Sequence, residues 1–230
     1  KILTSQRTKK EINIILKYVK PEYKSVLDAP CGFGRISIPL IEKGYTVSGV
    51  DLDPVFINNL KSRINKKENK DNFVVGDLRK LSYKNKFDLV LNLFTSIGYL
   101  KTDDENAVII NKLCEATKNG GRLIFELINP LGILSNYLSH DEQITPSGIK
   151  ILYDRVYDSQ SSINTENMTY EYPDGSIFYA GSKIRLYYPH ELIKICEKKG
   201  MKLINLLDYD GLKYTTKSYR MWLIFEKTNV

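Results

Sequence analysis

Cysteine is scarce in this chain, and the three that occur, Cys31, Cys114 and Cys196, are odd in number and lack metal-ligand spacing. A reduced, cytoplasmic setting is therefore expected, and no metal site. Cys31 reads as a small buried filler. Histidine is rarer still, limited to His140 and His190. No apolar run approaches the ~18 residues of a membrane span, and no secretory leader is visible. Repeats and low-complexity tracts are absent, so the 230 residues are compatible with one domain carrying an insertion. The chain opens on Lys1 rather than methionine, which leaves open whether native residues precede it. Acidic residues are the minority, 27 against 34 Lys and Arg, for a formal charge of +7. That balance permits nucleic-acid contact without favouring it. Lys61-Ser62-Arg63, Lys66-Lys67 and Glu197-Lys198-Lys199 lie beside acids or at helix ends and read as solvated faces.

What is present concentrates in residues 26–37, where the apolar Val26-Leu27-Asp28 runs into Ala29-Pro30-Cys31-Gly32-Phe33-Gly34 and then into a helical pattern. Gly32 and Gly34 allow positive φ and close approach of a ligand to backbone. A second apolar run, Tyr45 to Val50, ends in Asp51, where an α/β nucleotide site sets a carboxylate against ribose hydroxyls. The dinucleotide pattern G-x-G-x-x-G fails at Ser37. Asp28 would repel a pyrophosphate but attract an amino-acid ammonium, so S-adenosylmethionine (SAM) is favoured over NAD. Two further strands, ending at Gly76-Asp77 and at Asn92, add a carboxylate suited to an adenine amino group and another polar tip.

Apolar periodicity predicts a helix over Glu11–Val19 and alternating strands and helices at 26–29, 36–43, 46–50, 54–65, 72–75, 87–92, 104–117 and 122–128. This is an α/β, Rossmann-like parallel sheet with helices on both faces. Lys118-Asn119-Gly120-Gly121 is expected to end a helix with a glycine cap. Beyond Asn129-Pro130 the texture becomes tyrosine-rich and alternating, which predicts an antiparallel β insertion over 144–188 with a mobile turn within 157–167. A helix over about 189–199 and strands over 203–209 and 220–227 complete the core. The expected organisation is thus 1–143, 144–188 and 189–230.

Leu27-Asp28-Ala29-Pro30-Cys31-Gly32-Phe33-Gly34-Arg35, Gly49-Val50-Asp51-Leu52, Gly76-Asp77-Leu78 and Asn92-Leu93-Phe94-Thr95-Ser96-Ile97-Gly98-Tyr99 resemble class I SAM-dependent methyltransferases over most of the chain. Ile184 to Leu192 and Tyr209 to Arg220 resemble the small-molecule branch related to sugar-amine and glycine N-methyltransferases. The chain departs from the pattern at Pro30, where many relatives carry glycine. The resemblance implies a seven-stranded sheet with one antiparallel strand. It implies cofactor contacts from Asp28, Ala29, Gly32, Gly34, Asp51, Leu52, Asp77, Leu78, Asn92 and Phe94, with Arg7 the candidate for the methionine carboxylate. Thr95, Ser96 and Asn129 are substrate candidates from strand ends. Arg155, Tyr170, Arg185 and Tyr187 are candidates from the insertion, where they would roof the pocket and pair with an anion.

Methyl transfer is an in-line displacement in which alignment supplies much of the rate. A base is needed only if the acceptor arrives protonated, so no catalytic side chain is assigned; Tyr99 and His140 are the candidates. The expected function is methyl transfer to O or N of a small molecule by a monomer or homodimer. An RNA or protein methyltransferase and a non-catalytic module binding SAM or S-adenosylhomocysteine remain alternatives, with a nicotinamide oxidoreductase more distant. Asn92-Leu93-Phe94-Thr95 is not the Asn-Pro-Pro-Tyr of nucleic-acid amine methyltransferases.

Overall fold

The computed structural model of the chain describes residues 4–65 and 70–228; the Lys66-Lys67 cluster lies outside them. Helix α1 (Ser5–Leu16) begins at Thr4, whose hydroxyl accepts the Arg7 N–H at 3.1 Å. It starts well before the predicted Glu11 because capping, rather than apolar periodicity, sets its first turn, and Arg7 is thereby placed on a helix. Strands β1 (Ser25–Asp28), β2 (Thr46–Asp51), β3 (Phe73–Val75) and β4 (Phe87–Asn92) alternate with helices α2 (Ser37–Glu42) and α3 (Pro54–Arg63) and a 3-10 turn, Leu78–Lys80. Helix α4 (Asp103–Ala116) leads directly into β5 (Thr117–Ile128), followed by α5 (Pro130–Leu134). After the insertion come α6 (Pro189–Glu197), β10 (Met201–Asp208) and β11 (Arg220–Lys227).

The seven strands lie in the order β10-β11-β5-β4-β1-β2-β3. The pairs from β5 to β3 are parallel, whereas β11 runs antiparallel to both β5 and β10. Strand order reverses direction between β1 and β4, so the crevice at their C-terminal ends is the place where such sheets take ligands. Both faces are covered. Met221, Leu223 and Phe225 of β11 join the core beneath α4 and α6, and Trp222 and Ile224 join the core beneath α1, α2 and α3. This period-two division is the pleat expressed in a sheet buried on both sides.

The glycine cap expected at 118–121 is a bulge inside a strand instead. Phe87 pairs with Thr117 and Leu89 with Arg122, and the extra residues loop out at Gly120, whose φ is +73°. The Tyr23 hydroxyl and the Lys20 ammonium donate to the Gly120 carbonyl at 2.6 and 3.0 Å, tertiary bonds that hold the bulge.

The insertion forms a separate antiparallel sheet of β6 (His140–Ile144), β7 (Lys150–Asp158), β8 (Ile163–Glu171) and β9 (Ile177–Arg185), paired in that order. Its first strand starts at His140, four residues ahead of the predicted 144, because His140 to Ile144 are all exposed and carry no alternation. The turn expected within 157–167 is confined to residues 159–162, since β7 and β8 pair in register up to Asp158 and Ile163. Gly98, at φ +104°, accepts the Arg185 N–H at 2.8 Å and tethers the insertion to the loop after β4.

Candidate functional site

The glycine turn opens where β1 ends. Gly32 has φ +53° and Gly34 +82°; a side chain at Gly34 would press Leu60, and at Gly49 of β2 it would press Phe73 and Cys31. Asp51, at the tip of β2, accepts the Gly32 N–H at 2.7 Å and the Asp53 N–H at 3.0 Å, which locks the turn to the strand end. Asp28 is buried and accepts from the Ser37 hydroxyl at 2.6 Å, so the serine that replaces the third glycine holds a carboxyl in place. Burial pushes the Asp28 pKa up to about 7, against the opposing effects of Ser37 and Arg35. Asn92 closes the crevice by donating from Nδ2 to the Ala29 carbonyl at 2.7 Å, and its Oδ1 is buried without a partner.

Two lobes of one cleft follow from this frame. The first, about 300 Å³, is lined by Asp28, Gly32, Arg35 and Phe56 among others. The second, about 370 Å³, is lined by Leu52, Gly76, Asp77, Leu78 and Tyr99 among others. Pro30, Asp51, Phe94 and Ser96 belong to both. Asp77 is less free than its strand-end position suggests: its carboxylate caps the Arg79 N–H at 2.9 Å and pairs with the Arg79 guanidinium at 2.6 Å, which lowers its pKa.

Phe94 divides this cleft from a third cavity of about 550 Å³, lined by Arg7, Thr95, Tyr99, Tyr209, Tyr219 and Arg220 among others. Phe94 and Thr95 both carry positive φ, +62° and +55°, a strained pair that persists only when its surroundings over-determine it. Glu126 supplies that determination. It accepts the Phe94 N–H at 2.8 Å through its side chain and the Thr95 N–H at 2.9 Å through its carbonyl. Arg220 pairs with both Glu126 oxygens and donates to the Thr95 hydroxyl at 2.8 Å. The guanidinium carbons of Arg7 and Arg220 lie 4.9 and 5.2 Å from the Phe94 ring centroid.

A second acid, Glu11 of α1, is 1% exposed and joins Arg7, at 2.7 Å, to Arg35. Arg7 also approaches Glu126 at 3.6 Å, and its Nη2 is buried without a hydrogen bond. The run Arg35-Glu11-Arg7-Glu126-Arg220 therefore holds three guanidinium groups against two carboxylates. One positive charge is left for a ligand anion.

Arg35, which sequence reasoning passed over, lines the glycine-turn lobe, whereas Arg7 lines the third cavity. Glu11, Glu126 and Arg220 were missed as well. The available signal was Glu126 itself, a lone charge inside the apolar run Ile124 to Ile128. Thr95, Ser96 and Tyr99 border the second lobe of the cleft. Asn129 is consumed structurally, capping α5 through Leu131 N–H and bonding Ser218 and Tyr214. Tyr187 is buried with its hydroxyl donating to Asp103 at 3.0 Å, and Arg185 lines a fourth cavity. Arg155 pairs with Glu166 at 2.5 Å and Tyr170 packs on Phe178, both within the insertion sheet. His140 lies on the exposed edge strand against Asp154 at 2.6 Å and borders none of the four cavities.

The donor set fits SAM. Asp28, which lines the first lobe, offers an acceptor to an ammonium, Asp51 terminates the strand beside the shared wall, and the apolar faces of Leu52 and Leu78 border the second lobe, whereas Asn92 is fully buried and borders neither. Among the described residues no cluster suited to a metal ion occurs, and no helix is long and apolar enough to cross a membrane.

Comparison with known proteins agrees with this geometry. A methyltransferase-domain family model matches residues 26–121. Glycine N-methyltransferase of Mus musculus is 31% identical over 201 residues, covering 75% of this chain and 66% of that protein. A putative methyltransferase, YqeM, of Bacillus subtilis is 29% identical over 131 residues, covering 54% of this chain and 53% of its own. The chain spans about half the length of the first curated relatives it matches. The crystal structure of a SAM-dependent methyltransferase from Clostridium acetobutylicum superposes with a TM-score of 0.81 at 18% identity, covering 96% of this chain and 92% of that one.

Proposed function

We propose that the chain is a class I SAM-dependent methyltransferase that transfers the methyl group of SAM to an O or N atom of a small molecule. The observation that carries this reading is the position of Phe94, which is a wall of the cofactor cleft on one side and of the third cavity on the other. Bound SAM supplies an electrophilic methyl on a sulfonium. Asp28 holds the ammonium, Asp51 accepts ribose hydroxyls, and Leu52 and Leu78 flank the base. The surplus positive charge of the Arg35-Glu11-Arg7 run meets the methionine carboxylate, so the network that receives the cofactor also forms a wall of the acceptor cavity.

Glu126 and Arg220 fix the backbone of Phe94 and Thr95, and this rigidity aligns an acceptor with the methyl group. Desolvation raises the Tyr99 pKa, which keeps the phenol protonated at neutral pH and makes it a hydrogen-bond donor to the acceptor rather than its base. The cavity carries mixed charge, its lining holding Asp208 and Asp210, the latter paired with Lys10, as well as Arg7 and Arg220, which suits a compact polar acceptor better than a nucleic-acid backbone.

Calorimetric titration with SAM, S-adenosylhomocysteine and NAD tests the reading. Binding of the first two without the third, followed by turnover in a screen of amine and hydroxyl acceptors, is the expected result. Binding of NAD alone would sink it. Retained S-adenosylhomocysteine affinity with no turnover on any acceptor would favour the non-catalytic module.

A further inference from the structure

The fourth cavity, about 570 Å³, is enclosed by the loop after β4 (Gly98 to Thr102), the β7–β8 turn and the end of β9. It is comparable in volume to the third cavity and lies outside the cofactor cleft. Tyr99 connects three of the four: it lines the second cofactor lobe, the third cavity and this one.

The walls carry three cations, Lys101, Lys183 and Arg185, and one carboxylate, Asp103. Asp103 is committed, facing Arg185 Nε at 3.2 Å and accepting the Tyr187 hydroxyl. Arg185 is committed too, donating to the Leu186 carbonyl and pairing with Glu191. Among the described residues Lys101 and Lys183 make no ion pair. Asp158, at the end of β7 and within electrostatic reach of Lys183, accepts from the Ser161 hydroxyl and the Gln160 N–H. Two exposed lysines without an ion pair among the described residues thus border a large cavity, beside Gln160.

We propose that this cavity is an oxyanion subsite for the far end of the methyl acceptor, with Lys101 and Lys183 as its binding residues and Tyr99 as the wall between tail and reacting group. The acceptor is then a bipartite molecule. Its nucleophilic O or N reaches Phe94 through the third cavity, and a phosphate, diphosphate or carboxylate tail rests between the β4 loop and β9. This rests on the methyltransferase reading for the identity of the reacting end. The Gly98–Arg185 contact makes one loop contribute to both ends, so the insertion selects acceptors without touching the cofactor.

The test uses the full chain loaded with S-adenosylhomocysteine, titrated separately with inorganic pyrophosphate and with malonate. Failure of S-adenosylhomocysteine itself to bind would defeat the methyltransferase reading and is measured first. With that binding intact, saturable binding of either anion is expected, the tighter one identifying a phosphate or a carboxylate tail. A Lys101→Ala/Lys183→Ala variant should weaken it by about tenfold or more, with S-adenosylhomocysteine affinity unchanged. Lys202→Ala, an exposed lysine on β10, controls for net charge. Absence of binding by the parent protein, equal binding by the double variant, or equal loss in Lys202→Ala would each overturn the subsite.

Discussion

In β11 of the central sheet six successive residues, Arg220 to Phe225, are buried, whereas in β7 of the insertion only Ile151 is and in β6 none. The two sheets obey the same pleat in different surroundings. Helices cover both faces of the central sheet, so its strand ends hold Asp28, Asp51 and Asn92 at fixed positions. The four-stranded sheet is wet on much of its surface and touches the loop after β4 through Gly98 and Arg185. One sheet holds buried polar tips in place, and the other leaves most of its side chains to solvent.

The sharpest break in that comparison is Glu126→Ala. Inside the central sheet it leaves Arg220 buried without its partner and the Phe94 N–H without an acceptor, and it should cost ~3–5 kcal/mol of stability by urea denaturation. A denaturation midpoint equal to that of the parent would show that the Phe94 corner holds without this pair. Next is Asp51→Ala, which should weaken SAM binding by ~1.5–3 kcal/mol in calorimetry through loss of a charged acceptor. An unchanged dissociation constant removes Asp51 from the site.

Asp28 sharpens the comparison through pH. Its folded pKa, raised from 3.8 to about 7 by burial, means that the native protein holds a proton the unfolded chain has lost between those values. The apoprotein should therefore lose stability as pH rises from about 4 to about 7 and level off above. An ammonium beside Asp28 demands the ionised form, so SAM affinity should fall as pH drops below about 7. Asp28→Asn should abolish both dependences, and their persistence in thermal melts and titrations would assign them to another group. The smallest effect is expected in the insertion. Arg155→Ala, removing the pair with Glu166, should cost ~0.2–1 kcal/mol and leave SAM binding as it was; a change in SAM affinity would contradict the separation of the two sheets.

The glycine turn and the acidic strand tips were legible because they are local. Asp28, Gly32, Gly34, Asp51 and Asp77 each follow an apolar run that reads as a strand, and a strand's end is a position that a sequence displays. The surroundings of Phe94 and the insertion were less so. Asn129 has the same strand-end signature but spends both amide atoms on α5, Ser218 and Tyr214. Arg155 and Tyr170 share the tyrosine-rich alternation of the insertion yet pack within it. Arg35 reads as an ordinary helix-start cation until Glu11 is seen beside it.

The sequence by itself determined the alternation of strands and helices, the glycine turn and the order of acidic tips, because period-two and helical apolar patterns and turn residues act over a few neighbours. Only the tertiary structure decided which charges meet. Glu11, Arg35, Glu126 and Arg220 are brought together across separations of 24 and 94 residues, and the bulge at Gly120 is held by Lys20 and Tyr23, 100 and 97 residues away. Such pairings arise when a sheet covered on both faces buries polar groups that must then find partners, and no local pattern records the partner each will find.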